Sequence, residues 1–272
     1  AVAPLLPGFN IEVLPRIDST NTELMRRARA GRCEPILLVA EQQTAGRGRL
    51  GRDWHSGLGA SLTFSLGLPL APVDWSGLSL AVGVSVAESL QPVLPAVGSA
   101  TSRIGLKWPN DLWLDGAAGE RKLGGILVET ASFVAPNAPA STRYVVVGIG
   151  LNVLPRDAAG LSLPAGCLQE LDAALDAPTA LALIAAPLVN MLQLFEAYGF
   201  GPMQPRFAIR DVLQERPVTL SDGSSGTAHG VGTDGALHVL SAQGMQAVTS
   251  SEVSVRPAHP AHPAHPAHIK GD

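Results

Sequence analysis

The feature that most constrains this chain is a short loop in which glycine alternates with arginine. It reads Gly46-Arg47-Gly48-Arg49-Leu50-Gly51-Arg52. Glycine allows left-handed turns and close approach to a ligand, and each guanidinium offers a planar fork of donors to carboxylate or phosphate oxygens. Because like charges repel and a glycine-rich backbone has much entropy to lose, the empty loop is costly to order. The pattern therefore predicts a loop that wraps an anion and orders around it.

Length and composition are those of a compact protein without a general affinity for polyanions. The 272 residues, 46% hydrophobic and 15% charged, suffice for one large or two modest domains. A net charge of -4 gives no general attraction to nucleic acid or to an anionic membrane. No apolar run approaches the roughly 20 residues of a membrane span, and no signal-like segment opens the chain. We expect a cytoplasmic protein with no membrane and no nucleic-acid partner.

The cysteines and lysines are few enough to be informative. Cys33 and Cys167 lie far apart without CxxC spacing, so we interpret them as ordinary thiols and predict no metal site. Positive charge is carried almost entirely by arginine, and the only lysines are Lys107, Lys122 and Lys270. A lysine retained in such a chain suggests a specific role.

Hydrophobic spacing and turn residues predict a mixed sheet with packed helices. A Ser-Thr-Asn helix start at residues 19 to 21 and Gly31 bound the first helix. Further helices are predicted over residues 76 to 92, 179 to 198 and 203 to 213, with Pro187 kinking or dividing the second of these. Strands are predicted over residues 36–40, 60–66, 104–108, 112–114, 122–130 and 143–153.

The C-terminal quarter differs from the rest of the chain in its pattern of apolar runs and turns. Short apolar runs between residues 216 and 256 are separated by glycine-containing turns, which predicts a small β-barrel. The resulting division is a main domain over residues 1–213, a small β-domain over 214–256 and a tail over 257–272. The tail contains four Pro-Ala-His copies, so we predict disorder there. Its histidines could bind a transition metal adventitiously, but a polar repeat needs no packed core.

A second motif combines a tight hairpin with a lysine and paired glycines. It reads Lys107-Trp108-Pro109-Asn110-Asp111-Leu112-Trp113-Leu114, then Arg121-Lys122-Leu123-Gly124-Gly125-Ile126-Leu127-Val128-Glu129. On a regular strand Lys122 shares one face with Gly124, and Gly125 lies on the opposite face. Glycine within a strand often marks the close approach of another group. The pattern predicts a lysine beside a ligand-sized gap.

A third motif lies on the last predicted strand of the main domain. Gly148, Gly150 and Asn152 alternate along one face of that strand. The GxGxN pattern is weak alone, and the GxGxxG and GxxxxGK[ST] nucleotide motifs do not occur. A nucleotide would have to be held by other means.

Taken together and in this order, Ser19-Thr20-Asn21, the glycine-arginine loop with Trp54, the KWPND hairpin with Lys122 and the GxGxN strand resemble the biotin protein ligases. The resemblance covers about residues 10 to 256. It implies an α+β fold of the class II synthetase-like, biotin–lipoate ligase type, with a mixed catalytic sheet and a small C-terminal SH3-like β-barrel. It also implies the short form that lacks an N-terminal DNA-binding domain.

The resemblance further implies a two-step reaction. Biotin and ATP, with Mg2+ accompanying the ATP, give biotinyl-5′-AMP, and a lysine of a biotin carboxyl carrier protein then takes the biotinyl group. Residues implied to bind biotin are Ser19, Thr20, Asn21, Gln43, Gly46, Arg47, Gly48 and Gly125. Those implied to bind the nucleotide are Arg49, Trp54, Lys122 and Asn152. Lys122 and Arg49 are implied as catalytic, and Lys107, Asp111, Gly148 and Gly150 as supporting, with no metal assigned to Asp111.

Alternatives remain open at this point. A lipoate or octanoate ligase would share the fold but use a different loop, and a biotin-sensing regulator would bind without catalysing. Ser19 and Thr20 could serve only as helix caps. Packing is the favoured interpretation for Trp108 and Trp113, and Arg52 could be a solvated loop charge. Family members can pair through a sheet edge, so a homodimer is possible.

Overall fold

The computed structural model describes residues 2, 5–96, 99, 101–116, 118–132, 139–156, 165–249 and 255–257. The helices are α1 (Thr20–Arg29), α2 (Leu78–Leu90), α3 (Ala177–Tyr198) and α4 (Gln204–Ala208). The strands are β1 (Asn10–Leu14), β2 (Ile36–Ala40), β3 (Gly46–Arg47), β4 (Asp53–Trp54), β5 (Ser61–Leu70), β6 (Arg103–Lys107), β7 (Asp111–Asp115), β8 (Arg121–Ser132), β9 (Arg143–Asn152), β10 (Pro217–Leu220), β11 (Ser225–Val231), β12 (Leu237–Ser241), β13 (Gly244–Val248) and β14 (Val255–Pro257).

A seven-stranded mixed sheet forms the main body. Its order is β1-β2-β5-β9-β8-β7-β6. The β1–β2 pair is parallel, and the remaining neighbours are antiparallel. The C-terminal strands form a five-stranded antiparallel sheet. The predicted fold class is confirmed; the exact domain boundaries stay a prediction, and residues 258–272 of the tail lie outside the described residues.

The two faces of the main sheet are covered differently. Helices α2 and α3 pack on one face, over apolar side chains such as Phe64, Val147 and Ile149. On the other face, α1 packs on a smaller apolar cluster that includes Leu38 and Val146. Burial of apolar surface on both faces supplies the main stabilisation. Because α1 is only one short helix, it leaves a polar stretch of its face available for a site.

Two helix predictions are tested by the structure. Pro187 does not divide its helix, because α3 is continuous and is held by buried neighbours such as Ile184 and Leu188 on either side of the proline; a kink there stays a prediction. The helix predicted over residues 203 to 213 ends at Ala208. After it, Arg210 accepts from and Val212 donates to the backbone of Leu106. The following segment therefore extends the edge of the sheet, a tertiary contact that local sequence spacing does not reveal.

The expectation that no apolar run approaches the length of a membrane span is wrong for α3, which is long and apolar enough to cross a membrane by length and composition alone. The core helix of a soluble protein passes the same test. The apolar face of α3 packs against α2 and β5. Its role in the described fold is that of a core helix.

A buried carboxylate in the segment after α4 provides a test of the fold. Asp211 accepts from the backbone N–H of Leu213 at 2.8 Å through Oδ1, whereas its buried Oδ2 has no hydrogen-bond partner among the described residues. Burial raises the pKa of Asp211 to about 6. Ionisation of this group above that pH therefore opposes folding.

We expect Asp211→Asn to stabilise the fold at pH 7.5 by up to about 3 kcal/mol, because no ionised carboxylate is then buried without a partner. The amide oxygen can still accept from Leu213. The gain should shrink as the pH falls below about 6 and vanish only near pH 3, below the pKa of the unfolded chain, where the natural carboxyl is protonated in both the folded and the unfolded state. Urea denaturation at both pH values measures the difference, with Asp115→Asn on an exposed carboxylate as control. A variant less stable than the natural protein at pH 7.5 contradicts the prediction.

Candidate active site

A strip of small and polar residues forms the floor of the site on the α1 face of the sheet. In register, Ser65 on β5 faces Gly148 on β9, and Thr63 faces Gly150. Both glycines are closely covered. A Cβ at Gly148 would lie 2.1 Å from Asn21 Oδ1, and a Cβ at Gly150 would lie 2.5 Å from the Trp54 ring. Gly148 therefore lets α1 approach the sheet. Gly150 does the same for Trp54, which follows the glycine-arginine loop (residues 46–52).

The start of α1 is tied to the floor by a polar network. Ser19 caps the helix, accepting from the N–H of Thr22 at 3.4 Å. Gln43 Oε1 accepts from the backbone N–H of Thr20 at 2.7 Å and from its hydroxyl at 3.1 Å. Ser65 Oγ lies 2.7 Å from Thr20 Oγ1. The capping role of Ser19 is confirmed, and the network places Ser19, Thr20 and Gln43 together at one end of the strip.

Asn21 is buried and fully engaged within the protein. Its Nδ2 donates to the Leu127 carbonyl at 3.1 Å and to Glu129 Oε2 at 2.9 Å. Its Oδ1 lies 2.6 Å from Ser65 Oγ. The amide thus fastens α1 to both β8 and β5, which makes its role in this structure one of anchoring.

The glycine-arginine loop is held over the floor by protein partners. Strands β3 and β4 at its two ends pair with each other, joining Gly46 to Trp54. Arg47 Nε donates to Thr22 Oγ1 at 3.0 Å, and Nη2 lies 3.0 and 2.9 Å from the two oxygens of Glu129. Leu50 has a φ of 55°, an unusual value for a leucine. Part of the positive charge of the loop is therefore neutralised within the protein.

Lys122 lies on a different face of β8 from the one predicted. A register shift between β7 and β8 pairs Trp113 with Lys122 and Leu112 with Gly124, leaving Leu123 as an extra residue. A β-bulge of this kind reverses the side-chain alternation. A Cβ at Gly125 would lie 3.5 Å from Lys122 Nζ. The lysine therefore lies beside Gly125, and the prediction that it shares a face with Gly124 is wrong.

Two cations converge on the turn of the KWPND hairpin. Lys122 Nζ donates to Asp111 Oδ1 at 2.7 Å. Arg49 Nη1 is 3.5 Å from Asn110 Oδ1. Burial lowers the pKa of Arg49, and the nearby Asp111 carboxylate opposes that shift. Because a guanidinium stays charged even so, the site presents Lys122 beside Gly125 and Arg49 at the neighbouring turn, with Asp111 offsetting part of their charge. Two positive groups in this arrangement are suited to anionic oxygens.

The remaining predicted residues differ in how close they come to this centre. Asn152 is buried, and its Nδ2 donates to the carbonyls of Lys122 and Gly166 at 3.2 and 3.1 Å; its Oδ1 accepts from Arg156. It thus ties β9 to β8. The indole Nε1 of Trp54 is buried and has no hydrogen-bond partner among the described residues. This ring packs against β9 at Gly150.

The lysine and tryptophans of the hairpin are largely packed. Lys107 is buried, with Nζ 5.6 Å from the centre of the Trp113 ring. Trp108 is fully buried and donates to the Gly235 carbonyl at 3.1 Å, joining the hairpin to the C-terminal sheet. Packing is therefore confirmed for both tryptophans. Gly48, which donates to the Arg52 carbonyl at 2.7 Å, closes the turn of the glycine-arginine loop.

Three residues that matter to the geometry were not predicted to have a role: Ser65, Asn110 and Glu129. Asn110 donates to the Ile126 carbonyl at 2.7 Å and accepts from the Ile126 N–H at 2.9 Å, which fixes the hairpin turn against β8. Glu129 ends the second motif, so its position was visible, but its partners are distant in sequence. Ser65 carries no local signal.

The chain is similar to known protein ligases over most of its length. The model of the biotin/lipoate A/B protein ligase family matches residues 13–152. The chain is 35% identical over 260 residues to the bifunctional ligase/repressor BirA of Escherichia coli strain K12, covering 93% of this chain and 76% of that protein. It is 30% identical over 249 residues to the biotin–[acetyl-CoA-carboxylase] ligase of Paracoccus denitrificans, covering 89% and 98%.

A solved structure shares the fold over nearly its full length. The biotin protein ligase from Aquifex aeolicus in complex with biotin and ATP superposes with a TM-score of 0.72 at 27% identity, covering 92% of this chain and 99% of that one.

Proposed function

Because this chain belongs to the biotin/lipoate A/B protein ligase family, we propose that its polar strip and the glycine-arginine loop hold biotin beside ATP, with Lys122 and Arg49 at the junction. The enzyme is an ATP-dependent ligase that activates biotin as biotinyl-5′-AMP and transfers it to a carboxylase carrier protein. The observation that carries the residue roles is the convergence of Lys122 and Arg49 on the hairpin turn above Gly125.

The first step brings two anions together. A biotin carboxylate oxygen attacks the α-phosphorus of ATP, and pyrophosphate leaves with the electrons of the broken P–O bond. Lys122 and Arg49 offset the repulsion between the carboxylate and the phosphates, and Lys122 stabilises the charge that develops on the α-phosphate oxygens. Asp111 holds the Lys122 ammonium in position through the 2.7 Å contact. Mg2+ arrives with ATP, bound mainly by phosphate oxygens.

The second step uses the adenylate as an activated acyl group. A carrier lysine amine attacks the carbonyl carbon of the mixed anhydride, AMP leaves, and the amine loses a proton. An amine cannot readily displace an oxygen from a free carboxylate, so activation must come first. The polar network of Ser19, Thr20 and Gln43 lies where it can receive the ureido end of biotin, with Gly46, Arg47 and Gly48 above it and Asn21 fixing the helix. We place the Trp54 ring on the nucleotide side, and Asn152 braces the strands beneath.

Incubation with ATP, labelled biotin and a biotin carrier domain tests the function. We expect biotin-dependent pyrophosphate exchange and label on one carrier lysine. Transfer of lipoate in place of biotin would overturn the substrate assignment, and binding without exchange would support a regulator.

Further proposals concern the acceptor protein, the oligomeric state and the cellular location. The acceptor is a carboxylase carrier protein. A homodimer is a further proposal, for which edge strand β1 offers the exposed side chains of Ile11 and Val13, 60% and 58% accessible. A net charge of -4 gives no support to a nucleic-acid partner, and a cytoplasmic location stays a prediction.

Arg49→Ala should release biotinyl-5′-AMP about five- to tenfold faster, because one charge-assisted contact to the phosphate side is lost. The rate is measured by diluting the complex with labelled adenylate into unlabelled ligand and following the loss of label from the protein. Arg52→Ala serves as control, since Arg52 lies in the same loop but is exposed. Unchanged retention in Arg49→Ala would show that this side chain does not hold the intermediate.

A further inference from the structure

We propose that Glu129 is a positioning residue that holds the glycine-arginine loop over the site and links it to the start of α1. The inference rests on the proposed function for its kinetic consequences, but its structural consequence is independent of any ligand. Nothing in the reaction chemistry calls for a carboxylate at this point. The contacts around Glu129 account for its presence.

Glu129 lies on β8, on the face that carries the site. It follows Gly125 and Leu127 along that face, opposite Val146 of β9. The bulge at Leu123 brings Lys122 to the same face. One strand therefore presents both the proposed catalytic lysine and the carboxylate that receives the loop.

The carboxylate binds the loop through a forked contact. Arg47 Nη2 lies within 3.0 Å of both Glu129 oxygens, and the two side chains are 44% and 25% exposed. Isolated surface ion pairs contribute little to stability. This pair is part of a larger network, because Arg47 Nε also donates to Thr22 Oγ1 on α1 at 3.0 Å.

The same carboxylate also receives α1. Asn21 Nδ2 donates to Glu129 Oε2 at 2.9 Å and to the Leu127 carbonyl at 3.1 Å. The Asn21 amide also lies directly over Gly148 of β9, where a Cβ would come within 2.1 Å of Asn21 Oδ1. Glu129 is thus a shared acceptor for the loop and for the helix whose first residues are proposed to bind biotin.

This arrangement offsets part of the charge of a loop that carries three arginines. The Glu129 carboxylate neutralises Arg47 and reduces the like-charge repulsion within the loop. When Glu129 is replaced by a neutral residue, more of the free energy of ligand binding is used to order the loop. Substrate affinity and retention of the intermediate should then fall, while the chemical step at Lys122 is largely preserved.

The test compares Glu129→Gln with Glu88→Gln. A glutamine keeps the size of the side chain but replaces one oxygen by an NH2 group that cannot accept from Arg47. Glu88 is a matched control, since it pairs with Arg206 at similar exposure, 28% and 42%, and lies on α2 away from the site. Both variants are also made in an Arg47→Ala background.

We expect Glu129→Gln to raise the KM for biotin in pyrophosphate exchange about five- to tenfold and to change kcat less than about twofold. Trypsin should cut the ligand-free variant after residues 47, 49 or 52 several times faster than the natural protein, with Tm nearly unchanged. In the Arg47→Ala background the same substitution should have a clearly smaller effect, because the Arg47 contact is already gone and only the contact from Asn21 remains to be weakened. Glu88→Gln should alter neither KM nor the cleavage rate.

Three results would overturn the proposal. One is a Glu129→Gln variant with natural KM and cleavage rate. Another is an additional full effect of this substitution in the Arg47→Ala background. The third is a fall in kcat together with a fall in Tm, which indicates a purely structural role. Failure of the proposed function can be distinguished from failure of this proposal. The natural protein would then show no biotin-dependent exchange, while trypsin cleavage of the ligand-free chain would still report on the contact between Glu129 and the loop.

Discussion

Lys122→Ala is expected to slow biotin-dependent pyrophosphate exchange about 100- to 1,000-fold while changing biotin affinity less than about threefold. Lys122 Nζ lies beside Gly125 and is held by Asp111, so its charge is already placed when the substrates arrive. A group positioned in this way acts mainly where charge increases, on the α-phosphate in the transition state. Single-turnover formation of the adenylate gives the rate, and calorimetric titration gives the biotin affinity.

The control for this prediction is Asp111→Asn. It keeps the lysine but removes the charge that orients it, so we expect a smaller loss of rate, about tenfold, with intact biotin binding. Tm measurements on both variants separate lost chemistry from lost folding. Equal losses of rate and affinity in Lys122→Ala would place the lysine in ground-state binding and contradict the transition-state role.

The identity of Lys122 could be predicted from sequence, but its orientation could not. A lysine in an arginine-rich chain, followed by two glycines, is a local signal. Which face it occupies depends on how β8 pairs with β7, and the extra residue Leu123 is apparent only from that pairing. An ideal two-residue alternation therefore placed the lysine beside the wrong glycine.

The polar anchors illustrate the same limit at longer range. The helix start at Ser19 follows from local capping chemistry and is confirmed. Asn21, in contrast, meets Glu129 across 108 positions of sequence, and no local pattern records that contact. Likewise, the segment at Arg210 to Val212 reads as helix but pairs with Leu106 at the sheet edge. Tertiary hydrogen bonds decide both cases.

Gly125→Ala should leave the fold intact and weaken biotin binding about 10- to 100-fold. In the ligand-free chain the new methyl group would have ordinary contacts, 3.5 Å from Asp111 Oδ1 and from Lys122 Nζ. Alanine also costs less backbone entropy than glycine in a strand. If biotin lies over this position, as we propose, the methyl group occupies space that the ligand needs, at a cost typical of overpacking.

Gly148→Ala is the matched comparison because the two glycines differ in what covers them. A methyl group at Gly148 would lie 2.1 Å from Asn21 Oδ1, so this variant should lose stability as well as binding. Calorimetric titration with biotin and thermal unfolding of both variants separate the two effects. Natural biotin affinity in a stable Gly125→Ala protein would mean that the ligand does not cross Gly125. If Gly125→Ala loses biotin binding at unchanged stability while Gly148→Ala loses both, the absence of a side chain at Gly125 makes room for the ligand. The absence of one at Gly148 then makes room for the helix that positions the ligand.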